Sequence, residues 1–350
     1  MSSQTIPLDG ISPRAWEHPA DKAALSALQR LPGLDIAIKA ISGFTSDRSF
    51  RLYFLASALR VGENQLPTIW RLLNKACDTL DMACPELFVS NHPVANAGAI
   101  GMEKPFILLH SSLLQQLDEA ELLFVIGHEL GHIASGHVVY RTMVELLLYF
   151  GDKLSGGGLS PLVYQGVLMA LLEWYRKSEL SADRAGLLVC QNPNTAYGTF
   201  MKMAGGKTQT APELDGFLQQ AAEYQTSPDL LDDIWKTLNL LGQTHPFPVL
   251  RLAELKPWVD AGAYQKILAG DYPRRKDDPL RQAAPESILK DFDEASKAYQ
   301  ADFERAKGPL KDGMVQMGKL VGDASKEAER FLRDILSPRS NPPPQNPPQD

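Results

Sequence analysis

His128-Glu129-Leu130-Gly131-His132 lies inside the apolar run from Leu122 to Tyr140. Residues four apart on an α-helix share one face, one turn apart. His128 and His132 can therefore hold one zinc ion between them. Glu129 points close to the same face, where it can take a proton from a water activated at that ion. A chance match to H-E-x-x-H occurs in roughly one chain in a hundred. The surroundings must therefore decide between a metal helix and two ordinary core histidines held by hydrogen bonds.

The surroundings favour the metal. Asp118 and Glu121 form a D-x-x-E capping pattern at a helix start. Leu122, Leu123, Val125, Ile126, Leu130, Ile133 and Ala134 make the helix apolar nearly all round, which predicts a buried central element. Histidines and a glutamate on such a helix must have their polar groups satisfied, and zinc would satisfy them together. Gly127 and Gly131, four apart, give the helix a bare face for close packing.

Catalytic zinc needs a third protein ligand and an open position for water. His137 stands five residues after His132, so on a continuing helix it points away from the first two. It is expected in an ordinary polar or buried role. The stretch Ser178-Glu179-Leu180-Ser181-Ala182-Asp183-Arg184-Ala185-Gly186 offers more. Glu179 and Asp183 share a helical face. Glu179 is the candidate third ligand, and Asp183 can accept the Nδ1–H of a ligand histidine and fix its tautomer. By itself the pair reads as a solvated face with Arg176, Lys177 and Arg184. Downstream of H-E-x-x-H it reads as the rest of a metal site.

Four patches, in order, carry a resemblance to the zinc metallopeptidases of the HtpX and CAAX-prenyl-protease type, a gluzincin family. Asn96-Ala97-Gly98-Ala99-Ile100-Gly101 resembles the Asn-Ala segment ahead of that family's edge strand. His128 to His137 resembles its zinc helix, including the Gly136-His137 pair. Glu179-Leu180-Ser181-Ala182-Asp183 resembles its E-x-x-A-D, and His245-Pro246 with Arg251 its closing His-Pro and nearby arginine. The resemblance covers roughly residues 60 to 260. It implies that His128, His132 and Glu179 bind one zinc per chain, with Glu129 as general base. It places Asp183 behind a ligand histidine and Arg251 anchoring the loop through a carboxylate. It puts His245 near the metal, either steadying the oxyanion or capping the open site, and substrate along Asn96, Ala97 and Gly98. A lone His-Pro is otherwise only a turn.

Phe106-Ile107-Leu108-Leu109-His110 reads as a short strand whose free edge beside the zinc helix could pair with an extended peptide, giving backbone affinity with little side-chain selectivity. It also reads as a plain core strand, with His110 structural.

The fold class expected is mainly α with a small β-sheet (α+β), a zincin-like domain around the H-E-x-x-H helix. Helices are read over Lys22–Ile41, Leu66–Leu80, Phe217–Tyr224 and Leu230–Leu241, and strands over Glu86–Ser90 and Phe106–His110. The boundaries expected are an N-terminal helical segment 1–60, the metallopeptidase domain 61–270, an amphipathic arm 271–336 and a proline-rich disordered tail 337–350. Tyr272 to Pro279 reads as a solvated linker. In the arm, Leu310, Met314, Met317, Val321, Ala324, Ala328, Phe331 and Ile335 form a stripe that can pack on the same molecule, a partner helix, a second copy or a membrane surface. Gly308-Pro309 should break it.

The 350 residues suffice for a full core, and a net charge of −7 argues against nucleic acid as a main partner. Cys77, Cys84 and Cys190 make no paired disulfide framework, which suits a reducing compartment. Met1 to Asp21 lacks the pattern of a signal peptide. The segment closest to a membrane span, Leu159 to Tyr175, is interrupted by Pro161, Gln165 and Glu173. With Val144 to Phe150 and the Gly156-Gly157-Gly158 break, it reads as a shortened helical hairpin where the family often carries membrane helices. The expectation is a cytoplasmic protein, at most peripheral to a membrane.

Two functional classes follow. One is a zinc endopeptidase acting on protein or peptide, in a role such as protein quality control. The other is a latent or non-cleaving, zinc-stabilised chaperone-like protein. Glu129 favours the first, because a purely structural zinc has no use for a base.

Overall fold

The computed structural model describes residues 5–29, 47–101, 104–142, 144, 161–205, 211–226 and 247–278. Its helices are α1 (Pro19–Gln29), α2 (Asp47–Ser57), α3 (Pro67–Thr79), α4 (Ser111–Gln116), α5 (Glu119–Ala134), α6 (Pro161–Cys190), α7 (Pro193–Gly205), α8 (Ala211–Thr226), α9 (Pro248–Asp260) and α10 (Ala263–Leu268). Its strands are β1 (Leu59–Arg60), β2 (Leu87–Ser90), β3 (Ala97–Ile100) and β4 (Phe106–His110). The fold is α+β, mainly helical around one small mixed sheet. Leu230–Leu241, the His245-Pro246 turn, the C-terminal arm and the tail lie outside the described residues, as does the part of Lys22–Ile41 beyond Gln29.

The sheet runs β1-β2-β4-β3. β2 and β4 pair in parallel, Leu87 opposite Ile107, and the outer pairs are antiparallel, with Leu59 opposite Val89 and Ala97 opposite Leu109. All five residues of β4 are buried, as its unbroken apolar run requires of a strand covered on both faces. This corrects the expectation that Phe106–His110 offers a free edge. β4 is flanked on both sides, and the edge beside α5 belongs to β3, the segment read only as leading up to a strand. Phe54 of α2 packs with Phe88 and Phe106 in a small edge-to-face aromatic cluster on the sheet.

Helix α5 forms where its capping pattern says it should. The Asp118 carboxylate accepts the amides of Ala120 and Glu121, each at 2.9 Å, and the Glu121 carboxylate accepts the Asp118 amide at 2.9 Å. That closed capping box satisfies donors that a helix start leaves orphaned. The helix ends at Gly136, whose φ of 73° lies in the left-handed region that glycine adopts without a Cβ penalty. The chain reverses there, and residues 137–142 begin a new helical run.

Helix α6 is the main partner of α5, and the contact is backbone-close. A Cβ on Gly131 would sit 2.5 Å from the Ala185 Cβ, and one on Gly127 2.6 Å from the Val189 Cβ. From the other side, a Cβ on Gly186 would meet the Phe124 carbonyl oxygen at 2.8 Å. α6 runs unbroken for 30 residues, joining the limb expected from a hairpin to the segment that carries Glu179. No helix among the described residues is long and apolar enough to cross a membrane.

The N-terminal segment is strapped across this helix pair. Leu8, Ile11 and Trp16 are buried in the same core as Leu122 to Leu130. The Trp16 indole donates to Ser135 Oγ at 3.1 Å, the His18 amide to Ser181 Oγ at 2.9 Å, and Arg184 to the Glu17 carbonyl at 3.2 Å. The stretch read as a solvated linker is tied down too. Ile11 bridges Arg274, the Ser12 hydroxyl donates to Asp278 at 2.7 Å, and Arg275 bonds Asp81 at 2.7 Å.

Candidate metal centre

The helical spacing does what it promised. His128 and His132, on the buried face of α5, present their Nε2 atoms 3.1 Å apart. Across the glycine contact α6 brings in Glu179, with Oε2 3.3 Å from His128 Nε2 and Oε1 3.1 Å from His132 Nε2. Glu179 and His132 are fully buried and His128 nearly so. Two imidazole nitrogens and one carboxylate thus converge on a single point, an arrangement that a cation would satisfy. Tetrahedral zinc with bonds of about 2.0–2.1 Å would set neighbouring ligand atoms about 3.3 Å apart, and this donor set fits that edge length. Among the described residues these three are the group of histidines and acids placed to hold a metal ion.

Asp183 stands one turn beyond Glu179. Its Oδ1 lies 2.9 Å from His128 Nδ1, so the carboxylate accepts that N–H and holds the ring with Nε2 toward Glu179. Arg251, buried on α9, clamps the same carboxylate, donating Nε–H to Oδ2 at 2.8 Å and Nη2–H to Oδ1. Burial alone would raise the Asp183 carboxyl, and the Arg251 guanidinium outweighs it, holding the group below its ordinary value. Burial likewise opposes a charge on His128, yet Glu179 and Asp183 push that imidazole up to about 9. The pocket thus favours positive charge at this point. Burial and the Arg141 charge hold the His132 imidazole well below its ordinary value.

Arg141 was not anticipated from sequence. It is buried, its Nη1 lies 3.4 Å from Glu129 Oε2, and its guanidinium sits over the Tyr175 ring. It also lies under β3, where a Cβ on Gly98 would come 3.6 Å from its Nη2. His137 was expected to point away from the site. The Gly136 reversal returns it instead, so that its Nδ1 lies 3.0 Å from His132 Nδ1 while its Nε2 reaches Asp21 Oδ2 at 3.1 Å. Gly136 was the available signal, since a glycine there can end the helix before His137. Nothing in the local sequence pointed to Asp21.

A cleft of about 210 Å³ opens onto this centre. Asn96 and Ala97 line it together with His128, Glu129, Phe247 and Arg251. Gly98 continues the same edge strand. His110 lies behind it, buried, with Nδ1 2.9 Å from the Val94 carbonyl. His245, two residues before Phe247, lies outside the described residues.

Comparison with known proteins gives a consistent picture. The chain is 35% identical over 258 residues to plastoglobule-localized metallopeptidase 48, chloroplastic, of Arabidopsis thaliana, covering 72% of this chain and 74% of that one. It is 26% identical over 188 residues to protease HtpX homolog 2 of Methanosarcina mazei, covering 46% of this chain and 63% of that one. It is 24% identical over 177 residues to the protease HtpX homolog of Tropheryma whipplei strain Twist, covering 43% and 61%. No solved structure matches it significantly. Residues 64–259 match Peptidase family M48; with His128, His132 and Glu179 converging inside that stretch, the chain belongs to this family of metallopeptidases.

Proposed function

We propose that this metallopeptidase is a zinc-dependent endopeptidase, with His128, His132 and Glu179 holding the ion and Glu129 as general base. The observation that carries this reading is the convergence of His128, His132 and Glu179 beside a cleft lined by His128, Glu129 and the edge strand. When bound, zinc supplies Lewis acidity and lowers the pKa of water toward neutrality. Every other part of the chemistry belongs to the chain. β3 receives an extended substrate by main-chain pairing, since Ala97 and Gly98 contribute no bulk that would exclude side chains. Glu129 accepts the proton of the attacking water and hands it to the departing amine. Arg141 orients that carboxylate. His245, from the family resemblance alone, would stabilise the developing oxyanion. Main-chain recognition suits unfolded polypeptide, hence a role in protein quality control.

The test is zinc content of the purified wild type and Glu129→Gln, beside cleavage of casein. One zinc in each, with cleavage by the wild type alone, supports the reading. One zinc in each with no cleavage by either supports a latent enzyme held shut by its C-terminal arm or by His245. No zinc in either removes the ligand assignment.

A further inference from the structure

The two ligand histidines differ in what holds their outer nitrogens. His128 faces a carboxylate directly. His132 faces another histidine, His137, which in turn faces a carboxylate, Asp21, on the N-terminal helix α1. All three are buried, with exposures of 0% for His132, 2% for His137 and 1% for Asp21. Ser181 donates its hydroxyl to the same Asp21 oxygen at 2.5 Å, and its own oxygen accepts the His18 amide. The Trp174 ring closes on His137 edge to face, at 5.5 Å between centroids.

We infer that Asp21, acting through His137, is a positioning residue of the metal centre that fixes which nitrogen of His132 faces the ion. The argument is a count of protons. A carboxylate only accepts, so His137 must carry its hydrogen on Nε2. A neutral imidazole has one N–H, so His137 Nδ1 is then a lone pair. That lone pair accepts the Nδ1–H of His132, which leaves His132 Nε2 bare and directed at the site. With the order reversed, His132 would present an N–H where the cation belongs. Asp21 breaks the tie, and it stands upstream of the stretch that carries the family pattern. α6 therefore arranges both outer carboxylates: Asp183 by bearing it, and Asp21 by holding it through Ser181. On this account the N-terminal strap is part of the metal site.

The inference rests on the zinc reading, and its test separates the two. Zinc affinity is measured by chelator competition for wild type, Asp21→Ala, His137→Gln, the double variant, and Trp16→Phe, which loosens the same strap away from the chain of hydrogen bonds. Folding of each is followed by circular dichroism. The expected result is a loss of about 10–100-fold in affinity for either single variant. The double variant should be no weaker than the worse single one, because both break one chain, and Trp16→Phe should stay at the wild-type value. Nitrogen-detected NMR of the metal-free wild type should show His132 protonated at Nδ1, and Asp21→Ala should lose that preference. Should Asp21→Ala fail to fold, His137→Gln and the NMR assignment decide. Wild-type affinity in Asp21→Ala or His137→Gln, or His132 protonated at Nε2 in the metal-free protein, overturns the inference while leaving the zinc reading intact. A wild type that binds no zinc overturns both.

Discussion

One face of α5 is Gly127 and Gly131, pressed against Val189 and Ala185 of α6. The neighbouring face is His128, Glu129 and His132, equally removed from water. The first face buries a helix by having no side chains, so two backbones touch. The second buries three polar side chains by giving each a partner. The two depend on each other. Glu179 reaches the histidines only because α6 approaches within backbone distance, and so close an approach leaves no solvent that could satisfy the histidines instead. The pair of faces shows why the motif needs more than its five letters. A metal helix is recognisable by its ligands, but the metal site is made by what the helix lacks one residue before them.

The comparison can be broken from the polar side first. Glu129→Gln should lower kcat/KM for peptide cleavage by about 10²–10⁴-fold while zinc content holds. Loss of zinc from this variant would mean that the glutamate is structural. Stripping the metal is the next largest effect. If the polar face is satisfied by the ion, unfolding monitored with zinc about 1,000-fold above its Kd should show about 4 kcal/mol more stability than with a chelator present. An equal melting temperature in both conditions would mean that the histidines are satisfied without it. The bare face is tested by Gly131→Ala, whose new methyl would collide with the Ala185 Cβ. We expect a loss of about 1–3 kcal/mol in urea unfolding, partly recovered in combination with Ala185→Gly. Additive losses would deny the contact. The smallest effect has the opposite sign. Gly216, exposed on α8 with nothing within 4 Å of an added Cβ, should gain about 0.5–1 kcal/mol on substitution by alanine. If Gly131→Ala and Gly216→Ala behave alike, the distinction between the two faces has no content.

The parts of this molecule that were legible in its sequence are those whose partners lie within a helical turn. The Asp118–Glu121 capping box, the His128/His132 pair, the Gly127/Gly131 face and the Glu179/Asp183 pair all follow from the period of a helix, and the α+β class follows from their surroundings. What escaped was set by tertiary contact. β3 is Ala97-Gly98-Ala99-Ile100, short and with a single β-branched residue, so propensity gave it no weight against the strongly apolar β4. The sequence pattern therefore points to β4 for the edge, and the structure gives it to β3. His137 was placed by assuming that α5 continues, and the left-handed Gly136 overturned that assumption. Asp21 and Arg141 reach the site across elements that no local spacing connects. α7, α9 and the tied-down Arg274–Asp278 stretch are likewise held by what they pack on rather than by any pattern of their own.

The small residues of β3 carry one last consequence. On the proposed reading, an edge of alanine and glycine sorts substrates by whether a length of chain can lie extended, and hardly at all by the letters in it. Vulnerability then belongs to the client more than to the enzyme. A client's cleavage rate would follow the fraction of time the client spends locally open, so that each 1.4 kcal/mol added to its stability would slow its cleavage about tenfold. A series of point mutants of one client, graded in stability and identical at the scissile segment, would trace that line.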